Sequence, residues 1–427
     1  MKSVAARPRA AIVATGSELV RGERSDLNGP FLARELVSLG FDPARITIVG
    51  DRPDELEAAL REALGADLCV VSGGLGPTHD DRTVEFLARA ADVELVVDPA
   101  LEAEIEAVSR MVAERLHRPY ADFAPGVRKQ ATLPAGAISL GLAGTAPGVV
   151  LQTKSSVAVV LPGPPGELQR LWPRALETAS LQHLLERARP PGRRLLRFYG
   201  ASESAVARAL EEAGGDGAGV ETTICARDFE IHVDLLVEPG SERRADALAA
   251  SLKVPLAQHL FAEDERPIQE IVLALCRAEG LTLATAESCT GGLVAARITS
   301  VPGASDVFLG GIVAYANAVK HSQLDVPAEV LLRHGAVSAE VAEAMAAGAR
   351  GRLGADVSLA VTGIAGPGGG TPEKPVGIVY LHAETPEASR GIEFNFPADR
   401  DAIRRRAAVA GFHLVRRLLS QSHNEAA

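Results

Sequence analysis

Ser288 stands in the run Glu287-Ser288-Cys289-Thr290-Gly291-Gly292, and Lys320 closes the run Tyr315-Ala316-Asn317-Ala318-Val319-Lys320. A serine hydroxyl becomes a nucleophile beside a base. A lysine becomes such a base when burial lowers its pKa and populates the neutral amine. The pair is therefore suited to acyl transfer. Tyr315 is placed to orient a substrate or relay a proton. Cys289 is a rival nucleophile by position and Glu287 a rival base. The nearest histidine in that segment, His321, directly follows Lys320. The plainer alternative makes Ser288 and Thr290 helix caps and leaves Lys320 on a solvated turn.

The elements that must position these groups are strands and helices in alternation. Leu281–Ala284 reads as a strand feeding the Ser288 turn, and Leu293–Ile298 as the helix that follows. Strand, tight turn and helix aim free backbone N–H groups at an oxyanion. Phe308–Ala314 is a second strand, delivering Tyr315. A third, Val357–Val361, ends in Thr362-Gly363-Ile364-Ala365-Gly366-Pro367-Gly368-Gly369-Gly370 and continues through Glu373-Lys374-Pro375 to Gly377. Repeated glycines let amides approach a phosphate or planar ligand closely. A Gly/Pro loop this long inside an α/β domain is more often functional than idle. It lacks the GK[ST] ending of a P-loop.

The N-terminal part carries two further polar motifs, Thr15-Gly16-Ser17-Glu18-Leu19 and Ser72-Gly73-Gly74-Leu75-Gly76-Pro77-Thr78-His79-Asp80-Asp81. Gly73, Gly74 and Gly76 can cradle a phosphate through their N–H groups. Glu18, Asp80 and Asp81 offer oxygen ligands to a hard divalent cation that would bridge a diphosphate, and His79 suits a softer one. Equally, Asp80 and Asp81 read as a helix start favoured by the dipole. Both motifs follow short strands, Ala11–Ala14 and Leu68–Val71. Helical spacing over Asn28–Leu39 and Pro53–Leu64 alternates with these strands and with Arg45–Val49. This predicts an α/β fold, a mostly parallel sheet covered on both faces, with ligands beyond the carboxyl ends of its strands.

The chain has 427 residues, enough for about three domains. The boundaries read 8–188, 193–262 and 265–421, with a linker at Arg187–Arg194. The middle segment reads β-α-β-β-α-β, with helices over Ser202–Ala213 and Arg243–Leu252. A net charge of −11 and 4% aromatic residues argue against nucleic-acid binding as the main task. Gly214-Gly215-Asp216-Gly217 spells GxxG but is acidic and precedes a strand, unlike a nucleic-acid clamp. Cys69, Cys225, Cys276 and Cys289 form no CxxC pair, which fits a reducing cytoplasm. The apolar run after Met1–Ala10 is too short for a signal peptide, and no stretch has membrane-span length.

The Glu287–Gly292 motif, the Tyr-x-Asn-x-x-Lys segment, His334–Ser338 (HGAVS) and the Thr362–Gly377 loop together resemble the CinA C-terminal domain over roughly 265–420. That family includes nicotinamide-mononucleotide deamidases. The resemblance implies hydrolysis of the nicotinamide carboxamide to nicotinate mononucleotide and ammonia, without metal. Ser288 attacks, and Lys320 takes its proton and returns one to the leaving ammonia. Glu287, Thr290, Gly291, Gly292, Asn317, Thr362, Gly363, Gly366 and Gly368 become substrate contacts. Arg404 or Arg405 becomes a phosphate contact.

The two N-terminal motifs, with Arg128–Ala137, Gly144–Gly148 and Leu161–Leu168, resemble the molybdopterin-binding MoaB/MogA-type domain found at the start of CinA proteins. This implies a three-layer α/β/α domain with ADP-ribose pyrophosphatase activity requiring Co²⁺, Mn²⁺ or Mg²⁺. Asp80, Asp81 and Glu18 are then metal ligands, and Thr15, Gly16, Asn28, Gly73, Gly74, Gly76, Thr78 and Lys129 substrate contacts. Ser17 stands where the family commonly has aspartate. The middle segment resembles the KH-type linker of the family, and the family suggests a cytoplasmic homodimer. The alternative function is a pterin or nucleotide sensor, or a competence or DNA-damage accessory protein.

Overall fold

In a computed structural model, residues 7–425 are described, with side chains through Ser420. The first six residues of the Met1–Ala10 segment lie outside the described residues. The chain divides after Gly192 into two compact units.

The first unit is built on a six-stranded sheet in the order Asp42–Val49, Arg9–Thr15, Leu68–Ser72, Val157–Leu161, Pro147–Gln152, Ile138–Leu142. Its first four strands run parallel, and the last two antiparallel. Side chains alternate across a strand, and the alternation builds two cores. Ala11, Val13, Cys69 and Val71 face Leu60, Phe86 and Ile105. Ala10, Ile12, Leu68 and Val70 face Leu32, Leu36 and Trp172. Burial on both faces makes three layers, and explains why these strands read as unbroken apolar runs. The predicted linker is shorter than expected, because the next strand begins at Gly192.

The second unit joins a four-stranded sheet, Val220–Arg227, Glu230–Val237, Gly192–Tyr199 and Leu260–Ala262, to a five-stranded one. The Gly214–Gly217 loop is tied down by Arg244, which donates to the carbonyls of Gly214, Gly215 and Gly217. The five-stranded order is Phe308–Val313, Leu283–Glu287, Val357–Gly363, Ile378–Glu384, Ser389–Asn395. Its first three strands are parallel. The last two turn antiparallel, because no crossover helix interrupts residues 364–377. The helix Arg400–Glu425 contributes Ile403, Ala407, Phe412, Val415 and Leu419 to the core. Among the described residues, no helix is long and apolar enough to cross a membrane.

Candidate active site

The carboxyl ends of the three parallel strands converge. Leu283–Glu287 runs three residues beyond the expected strand, so Ser288 follows it directly. The Ser288 N–H donates to the Val361 carbonyl at 2.8 Å, and the Ala314 N–H to the Glu287 carbonyl at 2.8 Å. Neighbouring strands thus clamp the Glu287–Ser288 backbone from both sides. Gly291 and Gly292 have φ of 59° and 94°, left-handed conformations that glycine adopts without penalty, and they turn the chain into the helix Leu293–Thr299.

Lys320, from the helix Asn317–Leu324, points back under this turn and is buried. Its Nζ lies 2.9 Å from Ser288 Oγ, 2.9 Å from the Ala314 carbonyl and 3.2 Å from the Tyr315 carbonyl. Burial holds the Lys320 amine below its ordinary pKa, and no carboxylate pairs with it among the described residues. A neutral amine has two N–H groups and one lone pair. In the neutral form the two carbonyls can take the N–H groups, which leaves the lone pair for the serine hydroxyl. A buried amine beside a serine hydroxyl is an arrangement that can serve Ser/Lys acyl transfer.

Several expected roles change. Glu287 is neither base nor substrate contact. Its Oε2 accepts from the N–H groups of Gly292 and Val294 at 2.9 and 3.0 Å, and its Oε1 from Ala295 at 2.8 Å. The carboxylate therefore fills the helix N-terminus that was expected to face an oxyanion. Within the turn, the amides of Cys289 and Thr290 are left without a carbonyl or carboxylate acceptor among the described residues. Glu287→Ala is expected to lower stability on the order of 3 kcal/mol, by stranding three amides and removing a charge at the helix start. Urea denaturation measures this, and Glu287→Gln should recover part of it.

Cys289 is buried, and burial pushes its thiol up to about 12, so it holds no thiolate for attack. His321 is committed to the Val326 carbonyl through Nδ1 at 2.9 Å. The Tyr315 hydroxyl meets Arg400 Nη2 at 3.1 Å rather than Ser288 or Lys320. Its contact with Lys320 is through the backbone carbonyl. Asn317 is exposed at the start of its helix. Thr290 is fully buried with Oγ1 unpartnered.

The Thr362 hydroxyl is spent on the Ala336 carbonyl at 2.8 Å. Lys374 Nζ donates to the carbonyls of His334 and Val337 at 2.7 and 2.6 Å. HGAVS and the glycine loop are thus stitched together, and Thr362 is a brace rather than a substrate contact. Gly363 and Gly366 serve packing: a Cβ would meet the Ile378 carbonyl oxygen at 2.7 Å and Val376 Cγ1 at 2.6 Å. Gly368 is exposed and faces open space. Arg405 points away, toward Asp228 at 3.8 Å. Arg404 instead donates to the Thr290 carbonyl at 2.7 Å, and Arg400 to the Gly366 carbonyl at 2.5 Å. Arg400 was missed, although its i, i+4 spacing from Arg404 places both on one helix face.

In the first unit, Thr15, Gly16, Glu18, Gly73, Gly74, Gly76, Asp80 and Asp81 line one cleft of about 290 Å³. Asp51, Thr145 and Glu167 join them unforeseen. Thr145 and Glu167 lie inside quoted motifs, and Asp51 follows a strand end. Asp51 accepts from the Ser17 hydroxyl at 2.5 Å. Burial pushes Glu167 up, and the Thr78 hydroxyl holds Asp80 down.

Asn28 is structural: its Nδ2 donates to Ser72 Oγ at 2.8 Å and the Gly163 carbonyl at 2.7 Å. The Thr78 hydroxyl bonds Asp80 and Asp81, and Lys129 Nζ bonds the Thr78 carbonyl. These contacts shape the loop rather than reach into the cleft. The carboxylates have the oxygen chemistry of a hard-cation site. Among the described residues, however, no three His, Cys, Asp or Glu side chains gather to hold a metal. Glu18, Asp80 and Asp81 share a cleft without forming a ligand set.

Comparison with known proteins follows the same division. The CinA C-terminal domain model matches residues 265–419, and the probable molybdopterin binding domain model residues 11–181. A CinA-like protein of Mycolicibacterium gilvum is 44% identical over 419 residues, spanning 96% of this chain and 99% of its own length. A CinA-like protein of Mycobacterium tuberculosis is 42% identical over 429 residues, spanning 98% and 99%. Among solved structures, the competence/damage inducible protein CihA from Agrobacterium tumefaciens is 37% identical, covers 37% of this chain and 99% of its own, and has a TM-score of 0.35.

Proposed function

The chain belongs to the CinA family, and from that premise we propose that its C-terminal part hydrolyses the carboxamide of nicotinamide mononucleotide. The observation that supports this best is the 2.9 Å approach of the buried Lys320 amine to Ser288 Oγ. In this reading Ser288 Oγ bonds to the carboxamide carbon as its proton passes to Lys320 Nζ. The Cys289 and Thr290 amides face the oxyanion. The C–N bond then breaks, and Lys320 gives its proton to the departing nitrogen, releasing ammonia. Water attacks the resulting ester and gives a proton to Lys320. The ester C–O bond breaks, the proton returns to Ser288 Oγ, and nicotinate mononucleotide leaves.

The pH dependence has a definite sign. The free enzyme is active with neutral Lys320, so kcat/KM rises with pH along an acid limb centred below the ordinary lysine pKa. Rates of ammonia release across pH test this. A limb that falls as pH rises through the same range contradicts it.

The glycine-walled cleft favours a second reading for the first unit. Its glycine amides suit a phosphate-bearing nucleotide such as ADP-ribose, and hydrolysis to AMP and ribose 5-phosphate would need an added divalent cation to draw the carboxylates together. The test is hydrolysis of ADP-ribose with Co²⁺, Mn²⁺ or Mg²⁺, before and after chelation. Activity lost on chelation and in Asp81→Ala is expected. Activity that survives both removes the carboxylates from this role. No hydrolysis with any of the three metals leaves the cleft a binding site, as a nucleotide or pterin sensor requires.

A further inference from the structure

The middle segment meets the last helix through Tyr199 and through a hairpin tip. Between the strands Val220–Arg227 and Glu230–Val237, Asp228 and Phe229 adopt φ of 49° and 68°. A left-handed phenylalanine is strained and persists where surrounding contacts hold it. The Phe229 ring packs on Phe396 with centroids 5.3 Å apart, and the Arg406 guanidinium lies 4.9 Å from its centre.

Next to it, Glu230 is buried. It accepts from Arg197 at 2.8 Å, and its Oε1 meets His413 Nε2 at 2.9 Å. His413 has no exposed surface and stacks on Tyr199 at 3.7 Å. Burial brings its pKa down to about 4, so at neutral pH the ring is uncharged and Nε2–H donates to Glu230. Arg417 lies 5.3 Å from the Tyr199 ring centre.

His413, Arg405, Arg406 and Arg417 all belong to the helix Arg400–Glu425, as do Arg400 and Arg404. At about 100° per residue, Arg400 and Arg404 lie on one side of this helix. Arg405, Arg406, His413 and Arg417 lie on the other. One rigid element therefore grips the middle segment with one face. With the opposite face it holds the Thr290 carbonyl, two residues from Ser288, and the Gly366 carbonyl of the glycine loop.

We propose that the Arg227–Glu230 tip is a positioning element of the amide-hydrolysing site. By fixing His413 and Phe396, it sets the rotation and height of the helix that steadies the Ser288 turn and the glycine loop. Glu230 and Phe229 are thus positioning residues acting through Arg404 and Arg400. The proposal rests on the amidase reading for its kinetic consequence only.

Two readouts on the full chain test it. Hydrogen exchange is compared between wild type, Glu230→Gln and Phe229→Ala. Faster exchange is expected at residues 288–296 and 364–370, far from the substitutions in sequence. A rise confined to residues 227–232 and 405–417 overturns the proposal. Where nicotinamide mononucleotide is turned over, each variant should lose about tenfold in kcat/KM through misplacement of the site. Combined with Arg404→Gln, the losses should not multiply, because both act through one contact. Phe229→Tyr, which keeps the ring, should match wild type. Multiplying losses, or an equal loss in Phe229→Tyr, overturn it. Phe229 is 43% exposed, so Phe229→Ala carries the test if Glu230→Gln does not fold. If wild type releases no ammonia, the amidase reading fails and exchange alone decides this proposal.

Discussion

Lys320→Met is expected to reduce ammonia release from nicotinamide mononucleotide by roughly 10³-fold or more, the range lost when a positioned base is removed. Methionine fills similar volume without an amine, so the cavity under the Ser288 turn stays occupied. Lys320→Arg should fail as well, because a guanidinium does not lose its proton at working pH and its planar fork does not fit one hydroxyl and two carbonyls. The stability consequence is separate. Burial lowers the Lys320 pKa in the folded chain, so the unfolded chain binds more protons in the window below the ordinary lysine value. Wild-type stability relative to Lys320→Met therefore rises as pH rises through that window. Denaturation midpoints of the two proteins at several pH values measure the trend, and a gap that moves the other way contradicts a depressed lysine.

Ser288→Ala carries the second large effect, a loss of roughly 10⁴ to 10⁶-fold. The side chain's hydrogen bond is to Lys320, and the turn is held by backbone contacts to Val361 and by Glu287. The variant should therefore fold with unchanged circular dichroism and still bind nicotinamide mononucleotide, which calorimetry can read. Ser288→Cys separates nucleophile from scaffold: a thiol there sits beside a base, unlike the buried Cys289, and should retain measurable turnover.

How far the sequence could go is clearest at this turn. Strand, turn and helix are local patterns, so Ser288 and Lys320 could be placed at adjacent strand ends before any contact was known. The destination of the Glu287 carboxylate could not. It depends on the left-handed geometry of Gly291 and Gly292, which folds three amides onto it. The family resemblance made Thr362 a substrate contact, yet its hydroxyl is claimed by Ala336 from a distant segment. The choice among the arginines of the last helix turned on helix phase. Arg405 and Arg404 are adjacent in sequence but about 100° apart around the axis, and only packing says which faces the site.

The sheets show the same limit. Strands alternating with helices implied a sheet covered on both faces but not where parallel pairing stops, since that depends on whether a connection is long enough to cross over. At the first unit, the carboxylates of Glu18, Asp80 and Asp81 were recognised as one chemical set. Thr78 and Lys129, through contacts invisible to spacing, hold the loop so that they line a cleft without converging.

The most direct test of the amidase reading is ammonia release from nicotinamide mononucleotide by the wild-type full chain beside Ser288→Ala, with nicotinate mononucleotide identified as co-product. The account predicts stoichiometric ammonia and nicotinate mononucleotide from wild type and neither above background from Ser288→Ala. No release from wild type, or equal release from both proteins, contradicts it.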